Sequence, residues 1–242
     1  MENAPHIVIS GRNLPSDIQE RFLKWQDEVY SPLYIKNAGY IGIDRYQMIK
    51  KSLLYPGSIT IYHGKNRKAI EETKKNPTRI DLQKDIDATF YRVEWVWHDA
   101  YVLTNSFRND ASSREATIVE NAPTIHLEGY GAPTAEQQRY DQWFMRWASR
   151  VYIPILMKSP GLKAYNCFKL LDFSLRWPGR KYLEAEIPLY ISIQYFENME
   201  AFQSYSESLE YAAFKRNMEL EFPGTLSTIW NAEYQLVKSL RK

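Results

Sequence analysis

Cysteine is almost missing: Cys167 stands alone in 242 residues. One thiol excludes an internal disulfide and any cysteine-cluster metal site, and it fits a reducing compartment. An excess of either charge is missing too. With 31 Lys and Arg against 29 Asp and Glu, the formal net charge is +2, which gives no electrostatic reason to expect nucleic acid or an anionic membrane as partner. No apolar run approaches the ~20 residues that span a bilayer. The opening MENAPHIVIS lacks the basic-then-apolar pattern of a secretory signal. A soluble cytoplasmic protein is the expectation. The familiar chemical signatures (GxGxxG, P-loop, HExxH, GxSxG, paired Cys/His spacing) do not occur. The four histidines, His6, His63, His98 and His126, fall one to a strand or strand end, so spacing marks no metal site.

What the chain does have is aromatic residues, 14% of the total with 18 Tyr and 7 Trp, and a repeat. Shifted by 122 positions (147 − 25), residues 25–57 lie on 147–179 without a gap. Trp25, Val29, Tyr30, Pro32, Lys36, Gly39, Ser52, Leu53, Pro56 and Gly57 meet Trp147, Val151, Tyr152, Pro154, Lys158, Gly161, Ser174, Leu175, Pro178 and Gly179, 10 identities in 33 positions. Repetition of this kind sets the architecture before anything else does.

In the first copy the pattern predicts a strand at Ile7–Arg12, then a helix from Pro15-Ser16 with Ser16 and Gln19 at capping-box spacing. Phe22, Trp25, Val29 and Leu33 give that helix one apolar face, and Pro32 is expected to end or kink it. Strands follow at 42–50 and Ser58–His63, a polar helical segment at 66–90 broken near Asn76-Pro77, and a strand at Val93–Thr104. The second copy predicts strands at Ile125–Tyr130, Tyr165–Phe173, Tyr190–Tyr195 and Thr228–Leu236, with helices from Pro133-Thr134 and Asn198. Thr134 and Gln137 repeat the capping-box spacing, and residues 180–188 are an insertion. The fold class is therefore α+β: two tandem ferredoxin-like β-α-β-β-α-β repeats, 1–107 and 123–242, joined by a polar linker at 108–122. Two four-stranded antiparallel sheets packed face to face, helices outside, would cover the sheet face that each copy leaves bare.

The pattern Trp-x3-Val-Tyr-x-Pro-x6-Gly, at Trp25–Gly39 and again at Trp147–Gly161, resembles the first helix and turn of the dimeric α/β-barrel superfamily, most closely its EthD-like branch. Phe196–Phe214, with an Ala-Phe pair before a Ser-x-Glu-Tyr turn, is similar to the second helix of the same superfamily. The resemblance implies an intramolecular α/β barrel. It also implies one of several activities: cofactor-independent oxygenase, isomerase, dehydratase or haem-handling enzyme. Tyr30 and Tyr152 stand where that branch has the histidine of its His-x-Pro step, so histidine chemistry does not carry over to them.

Strand alternation sorts the remaining candidates. Ile7, Ile9, Ile59, Ile61, Ile125, Leu127, Ile191 and Ile193 share apolar faces, with Trp97, Tyr101, Trp230 and Tyr234 on the fourth strands. The opposite faces carry Arg45, Tyr62, His98, His126, Glu128, Gln194, Asn231 and Glu233. Apolar faces are expected to hold the helices, so the mixed faces would meet between the sheets. There the polar groups either bond among themselves and water or line a pocket, since each buried group left unpaired costs ~1–3 kcal/mol.

The leading expectation is a small-molecule enzyme working by acid–base chemistry on an apolar, aromatic or polyketide-like substrate. His126 with Glu128 would be the acid–base pair, His98 a second base, and Tyr152 and Tyr30 would polarise a carbonyl or phenolate. Tyr62, Gln194, Arg45, Trp97, Trp230, Asn231 and Glu233 would bind substrate. No resident metal or nucleotide is expected. The rivals are a non-catalytic ligand-binding or assembly protein and, third, a haem enzyme. Exposed edge strands could pair two chains into a homodimer.

Overall fold

A computed structural model describes residues 5–37, 39–50, 54–109, 121–175, 187–224 and 227–242. The first copy comprises β1 (His6–Asn13), α1 (Ser16–Trp25), a π-helical turn (Gln26–Tyr30), α2 (Ser31–Asn37), β2 (Tyr40–Met48), β3 (Ser58–Gly64), α3 (Arg67–Glu72), α4 (Pro77–Thr89) and β4 (Glu94–Arg108). The second comprises β5 (Thr124–Gly131), α5 (Thr134–Trp143), a π-helical segment (Phe144–Tyr152), α6 (Ile153–Leu156), β6 (Leu162–Ser174), β7 (Tyr190–Phe196), α7 (Met199–Ser206), α8 (Leu209–Glu221) and β8 (Ser227–Arg241). The expected β-α-β-β-α-β order appears twice. The strands hydrogen-bond in the order β1-β3-β2-β8-β5-β7-β6-β4, a closed eight-stranded antiparallel barrel. Most of the expected linker (110–120) and insertion (180–186) lies outside the described residues. No helix among the described residues is long and apolar enough to cross a membrane.

Backbone contacts divide the chain into two compact units. The first takes the described residues of Met1–Leu103, Leu170–Ala185 and Gln235–Lys242; the second takes those of Thr104–Lys169 and Glu186–Tyr234. In the first, α1, α2 and α4 pack Phe22, Tyr34, Ile35, Leu82 and Ile86 against Val8, Ile43, Tyr62 and Ala100. In the second, α5, the π-helical segment, α6, α7 and α8 pack Tyr140, Phe144, Leu156, Phe202 and Phe214 against Tyr130, Tyr165, Cys167 and Tyr190.

This reverses the expected use of the two sheet faces. The mixed faces meet the helices, while Ile7, Ile9, Ile59, Ile61, Trp97 and Tyr101, with their counterparts in the second unit, are buried on the face turned away from them. The physical reason is the supply of partners. A strand face covered by helices can be met by long polar side chains reaching down: Gln26 donates to the Thr60 hydroxyl, Asp27 accepts from Arg45, Asp141 accepts from Lys169, and Tyr211 and Lys215 donate to Glu128. A face without helices has only strand side chains to satisfy it, and there isoleucine is the stable choice.

Two local expectations also change. Pro15 and Pro133 occupy the N-cap positions and no side chain caps either helix, so Ser16 and Thr134 begin the helices and the capping boxes do not form. Pro32 and Pro154 do not end the first helices. A wide π turn precedes each, and the chain passes into α2 and α6. Proline lacks the N–H that an α-turn would use, and the wider turn relieves the clash with its ring.

The repeated glycines have a clear cause. Gly39 and Gly161 adopt φ of 73° and 77°, and a Cβ on Gly161 would lie 2.4 Å from Ala201 Cβ at the start of α7. Gly161→Ala should therefore destabilise by roughly 2–4 kcal/mol, combining left-handed backbone strain with a steric clash. Gly39→Ala, whose Cβ would meet Ala69 at 3.1 Å, should cost less. Urea unfolding of both variants measures the difference.

Candidate functional site

In the second unit, strand pairing sets nine side chains into a grid beneath the helices. His126, Gln194 and Tyr165 form one row, Glu128, Ser192 and Cys167 the next, and Tyr130, Tyr190 and Lys169 the third. Gln194 links the first two rows: its amide nitrogen donates to Glu128 Oε2 at 2.8 Å, and its oxygen faces His126 Nδ1 at 2.8 Å. That orientation makes Nδ1 the donor. His126 Nε2 lies 2.7 Å from Asn231 Oδ1, so both ring nitrogens are engaged.

Glu128 is fully buried and fully bonded. Tyr211 Oη and Lys215 Nζ approach Oε1 at 2.9 and 3.1 Å, and Ser192 Oγ lies 3.5 Å from Oε2. Burial pushes its pKa upward, but His126, Lys215 and the hydrogen bonds from Tyr211 and Gln194 outweigh it and hold the carboxyl at about 2. A carboxylate with so low a pKa is too weak a base to take a proton near neutral pH. Its charge instead acts on its neighbours. Burial first, and then the Glu128 charge, push the phenol of Tyr130 and the thiol of Cys167 well above their ordinary values; Tyr140 and Tyr165 are raised by burial, then Cys167, with Glu128 contributing. All four groups stay protonated and can donate.

Beside this network lies a cavity of about 290 Å³. Its floor is the lower part of the grid, with Tyr130, Tyr165, Cys167, Lys169, Tyr190 and Ser192; Tyr140 and Asp141 of α5, Phe144 at the start of the π-helical segment, and Phe214 and Met218 of α8 form its walls, and Thr104 and Asn105 of β4 close one side. An engineered apolar cavity of ~150 Å³ holds benzene, so this one has room for two or more fused rings. Two polar atoms in its lining, Tyr130 Oη and Asn105 Oδ1, are buried with no hydrogen-bond partner among the described residues. Asp141 stands where the cavity meets solvent, 2.8 Å from Lys169 Nζ. Burial, then the charge and hydrogen bonding of Asp141, push the Tyr190 phenol up.

The twelve side chains singled out in the sequence divide between the units. His126, Glu128, Gln194 and Asn231 come together, but none of them lines the cavity; Ser192 joins Glu128 to it. Tyr152 packs its ring on Trp147 (4.1 Å) and Phe214 (6.0 Å), Trp230 donates to Tyr234, and Glu233 is half-buried. In the first unit Tyr30 meets Tyr62 hydroxyl to hydroxyl at 3.5 Å, Arg45 pairs with Asp27, Trp97 donates to Tyr101, and His98 is buried opposite Ser10. The lining tyrosines lie on the same strand faces as the acid–base residues: Tyr130 is two residues past Glu128, Tyr190 four before Gln194, and Tyr165 opposite Gln194.

No family model and no curated protein matches the sequence. Solved structures do match in fold. An anthrone oxidase-like protein superimposes with a TM-score of 0.66 at 12% identity, covering 99% of this chain and 93% of that one. A protein from Fusobacterium nucleatum subsp. nucleatum, described as a candidate monooxygenase, gives 0.61 at 9% identity over 100% and 96%. An arginine-to-alanine variant of chlorite dismutase from Candidatus Nitrospira defluvii gives 0.58 at 10% over 98% and 93%. The chain has the dimeric α/β-barrel fold. None of the four histidines lines the cavity, whose one thiol is that of Cys167.

Proposed function

We propose that the cavity of the second unit is the active site of an enzyme that removes a proton from a small, flat aromatic ketone or phenol. The carrying observation is an aromatic-walled space of about 290 Å³ that places a carboxylate, Asp141, together with an unpartnered buried phenol, Tyr130. Asp141 is the base for a C–H acidified by an adjacent carbonyl. Lys169 orients it, and Tyr130, which stays protonated, donates to the oxygen on which negative charge develops. Glu128, Gln194 and His126 are positioning residues, fixing the floor through Ser192 and keeping the phenols protonated. The resulting carbanion is electron-rich enough to reduce dioxygen. For an anthrone, loss of two hydrogens and gain of one oxygen gives the quinone, with the second oxygen atom leaving as water. Proximity of this fold to an anthrone oxidase-like protein makes anthrone a sensible probe.

The expected result is enzyme-dependent deuterium exchange at the anthrone methylene under argon, and formation of anthraquinone in air. Exchange without quinone would assign an isomerase or dehydratase type of chemistry. Tight binding with neither would favour a ligand carrier, the reading supported by the full engagement of His126 and the low pKa of Glu128.

A further inference from the structure

The corresponding layer of the first unit is built from different chemistry. Its grid reads Val8, Tyr62 and Ile43, then Ser10, Thr60 and Arg45, then Arg12, Ser58 and Gln47. By a step of 118 on the first strands (128 − 10; 130 − 12), Ser10 holds the place of Glu128 and Arg12 that of Tyr130. By a step of 122 on the second strands (167 − 45), Arg45 holds the place of Cys167. Two guanidinium groups have thus entered this layer, and the carboxylate that answers the cations of the second unit has become a serine.

Arg12 is 1% exposed, and its nitrogens reach no carboxylate among the described residues. Its Nη2 donates to the Ser10 and Thr60 hydroxyls at 3.3 and 3.2 Å, and its Nε has no partner. The guanidinium packs on two aromatic rings, Phe22 at 5.4 Å and Trp95 at 4.9 Å from the ring centroids. A carboxylate accepts from arginine in the guanidinium plane, where its N–H groups point. Beside it, Arg45 pairs with Asp27 through Nη2, and its Nε is likewise buried without a partner. Gln26 reaches down from the π turn to Thr60, and His98 is the cross-strand neighbour of Ser10. A buried cation without a counter-ion is strongly unfavourable.

We propose that the first unit carries a binding site for a small carboxylate anion, held in the plane of Arg12 beside the Ser10 and Thr60 hydroxyls, where the second unit supplies its own carboxylate from Glu128. The site is independent of the aromatic cavity and of any reaction there.

The test is thermal unfolding of the whole chain as sodium acetate replaces sodium MES, a bulky anion, at constant ionic strength. Acetate at 100 times its Kd should raise Tm by ~5–10 °C for a chain of this size. Chloride should raise it less. Arg12→Met should abolish the acetate response. Ser10→Glu, which restores an internal carboxylate, should abolish it too, while leaving binding of an aromatic probe to the second unit unchanged. A Tm of the unmodified protein that does not respond to acetate overturns the proposal, as does an equal response to chloride or a full acetate response in Ser10→Glu. Should Arg12→Met fail to fold, the unmodified protein and Ser10→Glu still decide.

Discussion

Asp141→Asn should lower kcat on an anthrone-type substrate by ~10²–10⁴-fold while leaving its Kd within a few-fold, because the amide keeps the shape of the carboxylate and loses only its ability to accept a proton. The separation of the two effects is the informative part. Asp141 is half-exposed at the cavity rim, so replacing it leaves no buried group stranded and should cost little stability. A loss confined to binding would make Asp141 part of the entrance and leave the chemistry without a base. Stopped-flow measurement of quinone formation, with fluorescence titration of the same ligand, separates the two.

The second large effect concerns stability. Glu128 is completely buried with Lys215, Tyr211, Gln194 and His126 arranged around it, so Glu128→Ala should destabilise by ~3–5 kcal/mol by stranding their donors. The same residue sets an acid limb. Its folded pKa of about 2 lies below the ordinary 4.5, so its contribution is fully present above pH 4.5 and is lost as pH falls towards 2. The amount at stake is on the order of 3 kcal/mol. Urea unfolding between pH 2.5 and 6 should show that slope in the unmodified protein and a flatter one in Glu128→Gln. Equal slopes would mean that other carboxylates govern acid unfolding.

How much of this could be read beforehand differs between fold and site. The doubled β-α-β-β-α-β order followed from Trp25–Gly57 and its echo, and the break at Asn76-Pro77 falls between α3 and α4 as proline chemistry requires. Alternation grouped Tyr62, His126, Glu128 and Gln194 on one kind of face. It could not say which face the helices would cover, because hydropathy does not record that Tyr211 and Lys215 reach down to satisfy Glu128. The cavity was hidden for a related reason. Its residues come from β4, three neighbouring strands and two helices separated by up to about a hundred positions. A lone phenylalanine or tyrosine in sequence reads as core until the space between them is visible. Asp141, at the polar end of a helix, carries no local mark at all.

The last strand gives the first unit an unusual dependence. Residues 235–242 belong to it, and Ser239 and Arg241 clasp the buried Asp44, whose other oxygen lies 2.7 Å from His63. During synthesis, then, the amino-terminal portion emerges early yet has to wait for residues 235–242 to leave the ribosome before its polar clasp can shut. Until that moment Asp44 and His63 lack their closing partners, and the nascent chain is at its most vulnerable to proteases and to stray strand pairing.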